Sequence, residues 1–202
     1  MGILDHERKF AELIIYISQK AACDFYFGAT KLNKILYLSD FRAYGKWGKA
    51  ITGAEYQHLP QGPAPRRLKP VRDALVAQND LAIQPVGFPS GKVQHRTVNL
   101  READLSQFEA KEIALVDSVI DEMASMNATE ASNLSHQYVG WLMTDEGQTI
   151  EYATIFLSAE PLSLAETKRA QELSRQYGHL AQPKQTPDAN NTPGRRGETA
   201  TR

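Results

Sequence analysis

The sequence predicts an α+β, predominantly helical fold. It reads as a single compact domain over residues 1–178 with a small β-hairpin, followed by a disordered polar tail over residues 179–202. Three observations carry this. Apolar residues recur at the i, i+3, i+4, i+7 spacing of helix faces in several segments. Two short apolar runs flank a turn between Gly87 and Gly91, the pattern of a hairpin. Past about Leu180 the composition turns polar and rich in Pro, Asn and Thr, and such a segment buries too little apolar surface to offset its chain entropy.

Residues 5–21 place Phe10, Leu13, Ile14, Ile17 and Ala21 on one helix face. After Gly28, Thr30 is the expected N-cap of a second helix running to about Tyr44, with Gly45 and Gly48 stopping it. That helix is apolar on more than one side (Leu32, Ile35, Leu36, Leu38, Phe41, Tyr44), which marks a central, largely buried element. Ile51 to Leu59, with Tyr56 among its apolar residues, reads as a strand or as an extended connector. Pro60 to Pro65 is a turn, because each proline restrains the residue before it to extended geometry. A third helix then runs to about Gln78 with Leu68, Val71 and Leu75 inward. Pro63 or Pro65 suits its first turn, and Pro70 must also lie near its start or kink it.

Leu81 to Val86 and Lys92 to Leu100 form the two hairpin strands. Residues 105–126 give the clearest helix: Phe108, Leu115, Val116, Val119, Ile120 and Met123 form its stripe, with Glu109, Glu112, Asp117, Asp121 and Glu122 mostly outside it. Asn127 stops this helix and Thr129 caps a shorter one leading into Leu134-Ser135-His136. An irregular stretch with Trp141 follows, then Ile150-Glu151-Tyr152, a short helical turn through Phe156, and an amphipathic helix over 163–177 with Leu164 and Leu173.

The chain has 202 residues, 42% of them hydrophobic, with a single Cys. That apolar content supports a sizeable core and excludes global disorder. One Cys forms no internal disulfide and assembles no Cys-rich zinc site, which points to a reducing compartment, the cytoplasm. The longest apolar run, Leu13 to Ile17, is far short of the roughly 20 residues that cross a bilayer, and the opening Asp5-His6-Glu7-Arg8 is unlike a secretory signal. Near-zero net charge hides a segregation. Residues 31–100 carry eleven Lys or Arg against four acids, whereas residues 101–166 carry two bases against thirteen acids. Such halves either neutralise each other within the fold or steer an oppositely charged partner.

The chemistry-bearing motifs are sparse. The sequence contains no P-loop, no dinucleotide-binding glycine pattern, no H-E-x-x-H and no nucleophile elbow. Cys23, beside Phe25, Tyr26 and Phe27, reads as a packed residue rather than a reactive thiolate. The five His fall on five different elements, none at metal-ligand spacing from another. His136, next to Ser135 and close to Trp141, reads as a hydrogen-bonded structural residue at a helix end; adjacent positions on a helix diverge by about 100°, a poor arrangement for a nucleophile and its base. Arg66, Arg67, Lys69 and Arg72 cluster where a helix dipole disfavours cations. Either an anionic partner or the chain's own acidic half answers them. A basic helix followed by a hairpin also invites a winged-helix, DNA-binding reading, against which stand the long Gly45–Pro63 connection and a pI near 6.5.

Lys31-Leu32-Asn33-Lys34-Ile35-Leu36-Tyr37-Leu38 resembles the K-L-x-K-L-L-Y-F opening of the Panacea domain, the SocA-like antitoxin family. The glycine-containing turn Gly48 to Gly53, the segment ending at Tyr56, the Gln61-Gly62-Pro63 turn before Leu68, Leu134-Ser135-His136 with Trp141, and Ile150-Glu151-Tyr152 follow in that family's order, over roughly residues 7–158. Gln61 departs from the aromatic or Asn common before Gly-Pro, and Glu151 replaces the usual Pro. The resemblance implies a mostly helical, cytoplasmic antitoxin of a two-gene toxin–antitoxin module, often carried on phages or mobile elements. Its partner would be a cognate toxin encoded by the adjacent gene, neutralised by direct protein–protein binding; at least one type of member instead delivers its toxin to a protease. It implies no enzyme activity and no cofactor. Trp47, Tyr56, Arg66, Arg67, His136 and Trp141 are the candidate partner-binding residues, since aromatic and Arg side chains dominate binding energy; burial in the chain's own core is the other reading of each.

Overall fold

The computed structural model describes residues 3–89, 91–160 and 163–177. The segment expected to be a disordered tail, residues 179–202, lies outside them. A 3-10 turn at Asp5–Glu7 leads into helix α1 (Arg8–Lys20), whose apolar stripe Phe10, Leu13, Ile14 and Ile17 is buried as expected. Cys23 does not join it. The turn after α1 spends its buried positions on Ala21 and Phe27, and the thiol is exposed.

Helix α2 (Ala29–Trp47) is the central element. Leu32, Ile35, Leu36, Tyr37, Leu38 and Phe41 are all buried, and α2 packs against α1 and against the elements that follow it on several sides. Its bounds differ from the expectation. The N-cap is Gly28, so Thr30 lies inside the first turn, and Gly45 continues the helix because its bare Cα faces Ile155. Gly48 stops it with a left-handed φ of 70°, its N–H bonding Tyr44 O at 2.8 Å.

The stretch after α2 settles as a connector with a two-residue strand, β1 (Tyr56–Gln57). Strand β2 (Ala64–Pro65) pairs antiparallel with β1, Tyr56 opposite Pro65, and β5 (Thr149–Ile150) pairs with its other edge, Tyr56 opposite Ile150. Pro63 and Pro65 therefore serve an extended segment. Helix α3 (Leu68–Ala77) starts after them with Pro70 in its first turn, and Leu68, Val71 and Leu75 point inward. Strands β3 (Leu81–Gly87) and β4 (Val93–Asn99) form the expected hairpin, with Leu81 opposite Asn99.

Helix α4 (Ala110–Met123) is shorter than expected, because Glu109 caps it in a capping box with Glu112 and Ser106 N is held by Asp104 Oδ1. Leu115, Val116, Val119, Ile120 and Met123 face α1 and α2. Glu112, expected outside the stripe, is buried at 5% exposure, because Lys9 Nζ meets its carboxylate at 2.8 Å. Asn127 begins a helix rather than ending one: its side-chain oxygen accepts from Thr129 N and Glu130 N, making it the N-cap of α5 (Ala128–His136). The stretch expected to be irregular is a four-residue helix, α6 (Val139–Leu142), followed by β5 and a 3-10 turn at Tyr152–Phe156. The chain divides at Ala159 into two units, and the second contributes α7 (Leu164–Tyr177).

The acidic half is answered mainly by the first two helices. Lys9 pairs with Glu112, Lys20 and the Tyr16 hydroxyl with Asp117, and Arg42 with Glu122. No helix among the described residues is long and apolar enough to cross a membrane.

Replacing the α5 cap tests this reading of the 127–136 segment. Asn127→Ala should lower the unfolding free energy by about 1 kcal/mol in urea titrations, with Asn127→Ser recovering most of it. An unchanged midpoint for the Ala variant would show that α5 is held without its cap.

Candidate functional site

The motif residues of the sequence converge on one turn. Gln61-Gly62-Pro63 lies against α2 and α5, and three of the nearby backbone carbonyls each take a donor from a different helix. Lys34 Nζ of α2 donates to Pro63 O at 2.9 Å, Ser132 Oγ of α5 to Gln61 O at 3.0 Å, and Trp141 Nε1 of α6 to Leu59 O at 3.1 Å. Gly62 sits at φ 94°, and a Cβ there would lie under 3.0 Å from both Ser135 Oγ and Lys34 Nζ. Only glycine combines that dihedral with that crowding.

Around this turn burial disfavours the charged forms of Lys34 and His136. Lys34 is 1% exposed, with no carboxylate partner among the described residues, and burial brings its amine down to about 7. Its neighbour His136 is also held below the ordinary imidazole value, first by burial and then by Lys34 and His58. The His136 and His58 rings both stack on Trp141, with centroids at 3.9 and 4.5 Å, and His58 Nδ1 lies 3.1 Å from Trp141 O. Ser135 is fully buried and donates to Ser132 O at 2.7 Å, while His136 Nε2 has no hydrogen-bond partner among the described residues. Ser135 and His136 thus form no nucleophile–base pair, as the divergence of adjacent helical positions predicts. No group of three or more His, Cys, Asp or Glu among the described residues is placed to hold a metal.

A second polar centre lies deeper. Asp40 of α2 has 0% exposure and accepts from Thr52 N at 2.7 Å, from the Thr52 hydroxyl, and from the Tyr56 hydroxyl at 2.8 Å. Burial pushes its carboxyl above the usual carboxylate range against the pull of these donors, and the same burial raises Tyr56. An aromatic shell closes over it: Tyr37 on Tyr56 at 5.6 Å, Phe41 on Tyr152 at 4.7 Å, and Tyr44 on Tyr152 at 5.4 Å.

The six candidate contact residues therefore do not form one surface. Tyr56 lies in the core at 1% exposure. Arg66 spans the small sheet, bonding Glu55, Gln57, Gly147 O and Thr149. Arg67 bonds Glu7 at 2.6 Å and holds that carboxyl below its ordinary range. Lys69 pairs with Asp73, so Arg66, Arg67 and Lys69 are answered by acids outside the acidic half, while Arg72 Nε is buried with no hydrogen-bond partner among the described residues. His136 and Trp141 are brought together, half-buried. Trp47 stands apart at the end of α2, 38% exposed, with Lys111 Nζ 5.2 Å from its ring centroid. The sequence reading left Lys34, Gly62, Ser132, His58 and Asp40 out of the candidate set. Lys34 and Gly62 carried a signal as motif positions; His58 carried none, since its partner lies 83 residues on.

Residues 32–142 match the family described as "Antitoxin SocA-like, Panacea domain". No curated protein and no solved structure matches the chain.

Two measurements probe the turn. Gly62→Ala should cost at least about 2 kcal/mol in urea unfolding, since it adds a left-handed strain to a contact that cannot open. A cost under about 0.5 kcal/mol would show a turn free to shift. The Lys34 amine titrates near 7 when folded and near 10.5 when unfolded, so the unfolded chain binds the extra proton between these values. Its penalty is full below pH 7 and relieved as pH rises. Stability should therefore climb from pH 7 to 9 by up to about 1.4 kcal/mol per pH unit, and Lys34→Met should lose that slope. Equal slopes in both proteins would refute a neutral buried amine.

Proposed function

Since the chain belongs to the SocA-like antitoxin family by its Panacea domain, we propose that it binds a cognate toxin protein, the product of an adjacent gene, and neutralises it by direct contact. The family match carries this reading. It is supported by the way the motif residues are used: Lys34, Gly62 and Trp141, joined by Ser132, brace a turn, and Ser135 is spent on a backbone carbonyl. Neutralisation then consists of covering the toxin's active surface or holding it inactive, work that needs complementary surface rather than a reactive centre. Among the candidate contacts, Trp47 and the Trp141–His136 stack offer aromatic surface from which affinity is drawn, while Tyr56 and Arg66 act through the fold. The winged-helix alternative gains little from the basic cluster at the start of α3, where three of its four cations, Arg66, Arg67 and Lys69, are each paired with an acid.

Growth rescue tests this directly. Induced alone, the adjacent open reading frame should kill; co-expressed with this chain, colonies should survive, and the two proteins should co-purify. Survival with loss of the toxin polypeptide, restored by removing a protease, would identify the adaptor mode instead. A harmless neighbour, or equal killing in both strains, would leave the family fold without this function.

A further inference from the structure

One groove in the first unit is not part of the braced turn. It encloses about 500 Å³, within the range of roughly 300–1,000 Å³ seen for binding clefts, between the tip of the β3–β4 hairpin and the N-termini of α2 and α5. Its chemistry is one-sided. No Asp or Glu lines it, whereas Lys92 and His95 do, both exposed and without an ion pair or side-chain hydrogen bond among the described residues. The neighbouring acids are already engaged by lining residues: Asp24 pairs with Lys31, and Glu130 takes the backbone N–H of Asn127. Gly28 gives α2 no side-chain cap, so the positive end of a 19-residue helix forms part of the wall.

The rim is apolar and exposed. Val93 is 57% and Tyr26 42% exposed, and Phe25, 62% exposed, meets Phe88 edge-on at 5.5 Å. The walls are fixed in advance. Arg96 Nη2 donates to Ala22 O at 2.7 Å, tying the hairpin to the loop after α1, and Gln94 packs so closely on Gly28 that a Cβ there would clash. A groove that is already shaped loses little conformational entropy on binding.

We propose that this groove is the docking surface for an acidic segment of the toxin, one that sets a large apolar side chain against Phe25, Phe88 and Val93 and its carboxylates toward Lys92, His95 and the α2 N-terminus. The proposal rests on the antitoxin reading and gives it a location. Charge complementarity selects the occupant: the lining offers the Lys92 ammonium, the His95 ring and the uncapped α2 N-terminus to carboxylates, and the aromatic rim offers an apolar anchor the burial it needs. One unpaired ammonium, that of Lys92, beside an apolar rim is a poor match to the repeated phosphates of a nucleic acid. Trp47 lies at the opposite end of α2, roughly 28 Å away by helix rise, so the two locations are separable by mutation.

The test is calorimetric titration of the purified full chain with the purified product of the adjacent open reading frame, alongside growth rescue. The variants are Lys92→Glu, Val93→Asp, Trp47→Ala and, as a cation outside the groove, Lys69→Glu. Lys92→Glu and Val93→Asp should each raise Kd about tenfold or more and weaken rescue, with melting unchanged because both side chains are exposed. Lys69→Glu should change Kd less than about twofold, and the wild-type Kd should rise with salt more steeply than that of Lys92→Glu. Groove variants that bind and rescue like the wild type would overturn the location and leave the antitoxin reading standing. So would tighter binding by Lys92→Glu, a loss confined to Trp47→Ala, or displacement of the toxin by duplex DNA. A wild-type chain that neither binds nor rescues would remove the antitoxin reading and this proposal together.

Discussion

The rest of the structure depends on a central helix that carries ionisable groups into the core. Burying α2 on several faces leaves Lys31, Lys34 and Asp40 with 1%, 1% and 0% exposure, and a buried charge or polar head is tolerated only where partners meet it. Each group therefore fixes the course of a distant segment. Lys31 holds Asp24 before the helix and the Ala124 carbonyl at the end of α4. Lys34 holds Pro63, and Asp40 holds Thr52 and Tyr56. Three side chains within about two and a half turns of one helix thus set where the preceding loop, the turn before α3 and the first small strand must lie. Removing any one strands its partners.

This explains which parts of the fold were legible. The apolar breadth of Leu32 to Tyr44 identified α2 as central, because a helix without a polar face has nowhere to go but inside. The hairpin was legible from its turn. What escaped was decided by long-range or very short structure. Strands β1, β2 and β5 have two residues each, too few for any alternation to show, and their register joins positions 56 and 150. Helix α6, at four residues, is similarly below the length at which periodicity can speak. Glu112 was placed outside its stripe because composition sees a carboxylate and not the Lys9 ammonium that arrives from another helix.

The site was legible as residues and illegible as geometry. Lys34, Gly62, Ser135 and Trp141 stood in the sequence as ordered motif positions, but what unites them is a set of backbone carbonyls at Leu59, Gln61 and Pro63. Backbone acceptors have no letter in a sequence, so a cluster built on them leaves no compositional trace. The basic run at Arg66 to Arg72 shows the converse. Its cations are conspicuous, yet three of them, Arg66, Arg67 and Lys69, pair with Glu55, Glu7 and Asp73, two of these acids supplied by other segments.

A division of labour follows from where the family signature sits. Residues that brace a buried turn must keep their identity whatever the protein binds, because a buried Lys, a left-handed Gly and a fully satisfied Ser each have few substitutes. Surface that meets a partner obeys no such rule: exposed Lys92, Val93 or Trp47 can change with little effect on folding. A shared scaffold of this kind reports the fold and says little about the partner. Specificity then belongs to groups the scaffold does not use, and in the first unit the groove between the hairpin tip and two helix N-termini is such a place: its Lys92 is unpaired among the described residues, its rim is apolar, and its shape is set by the hairpin's contacts with Ala22 and Gly28.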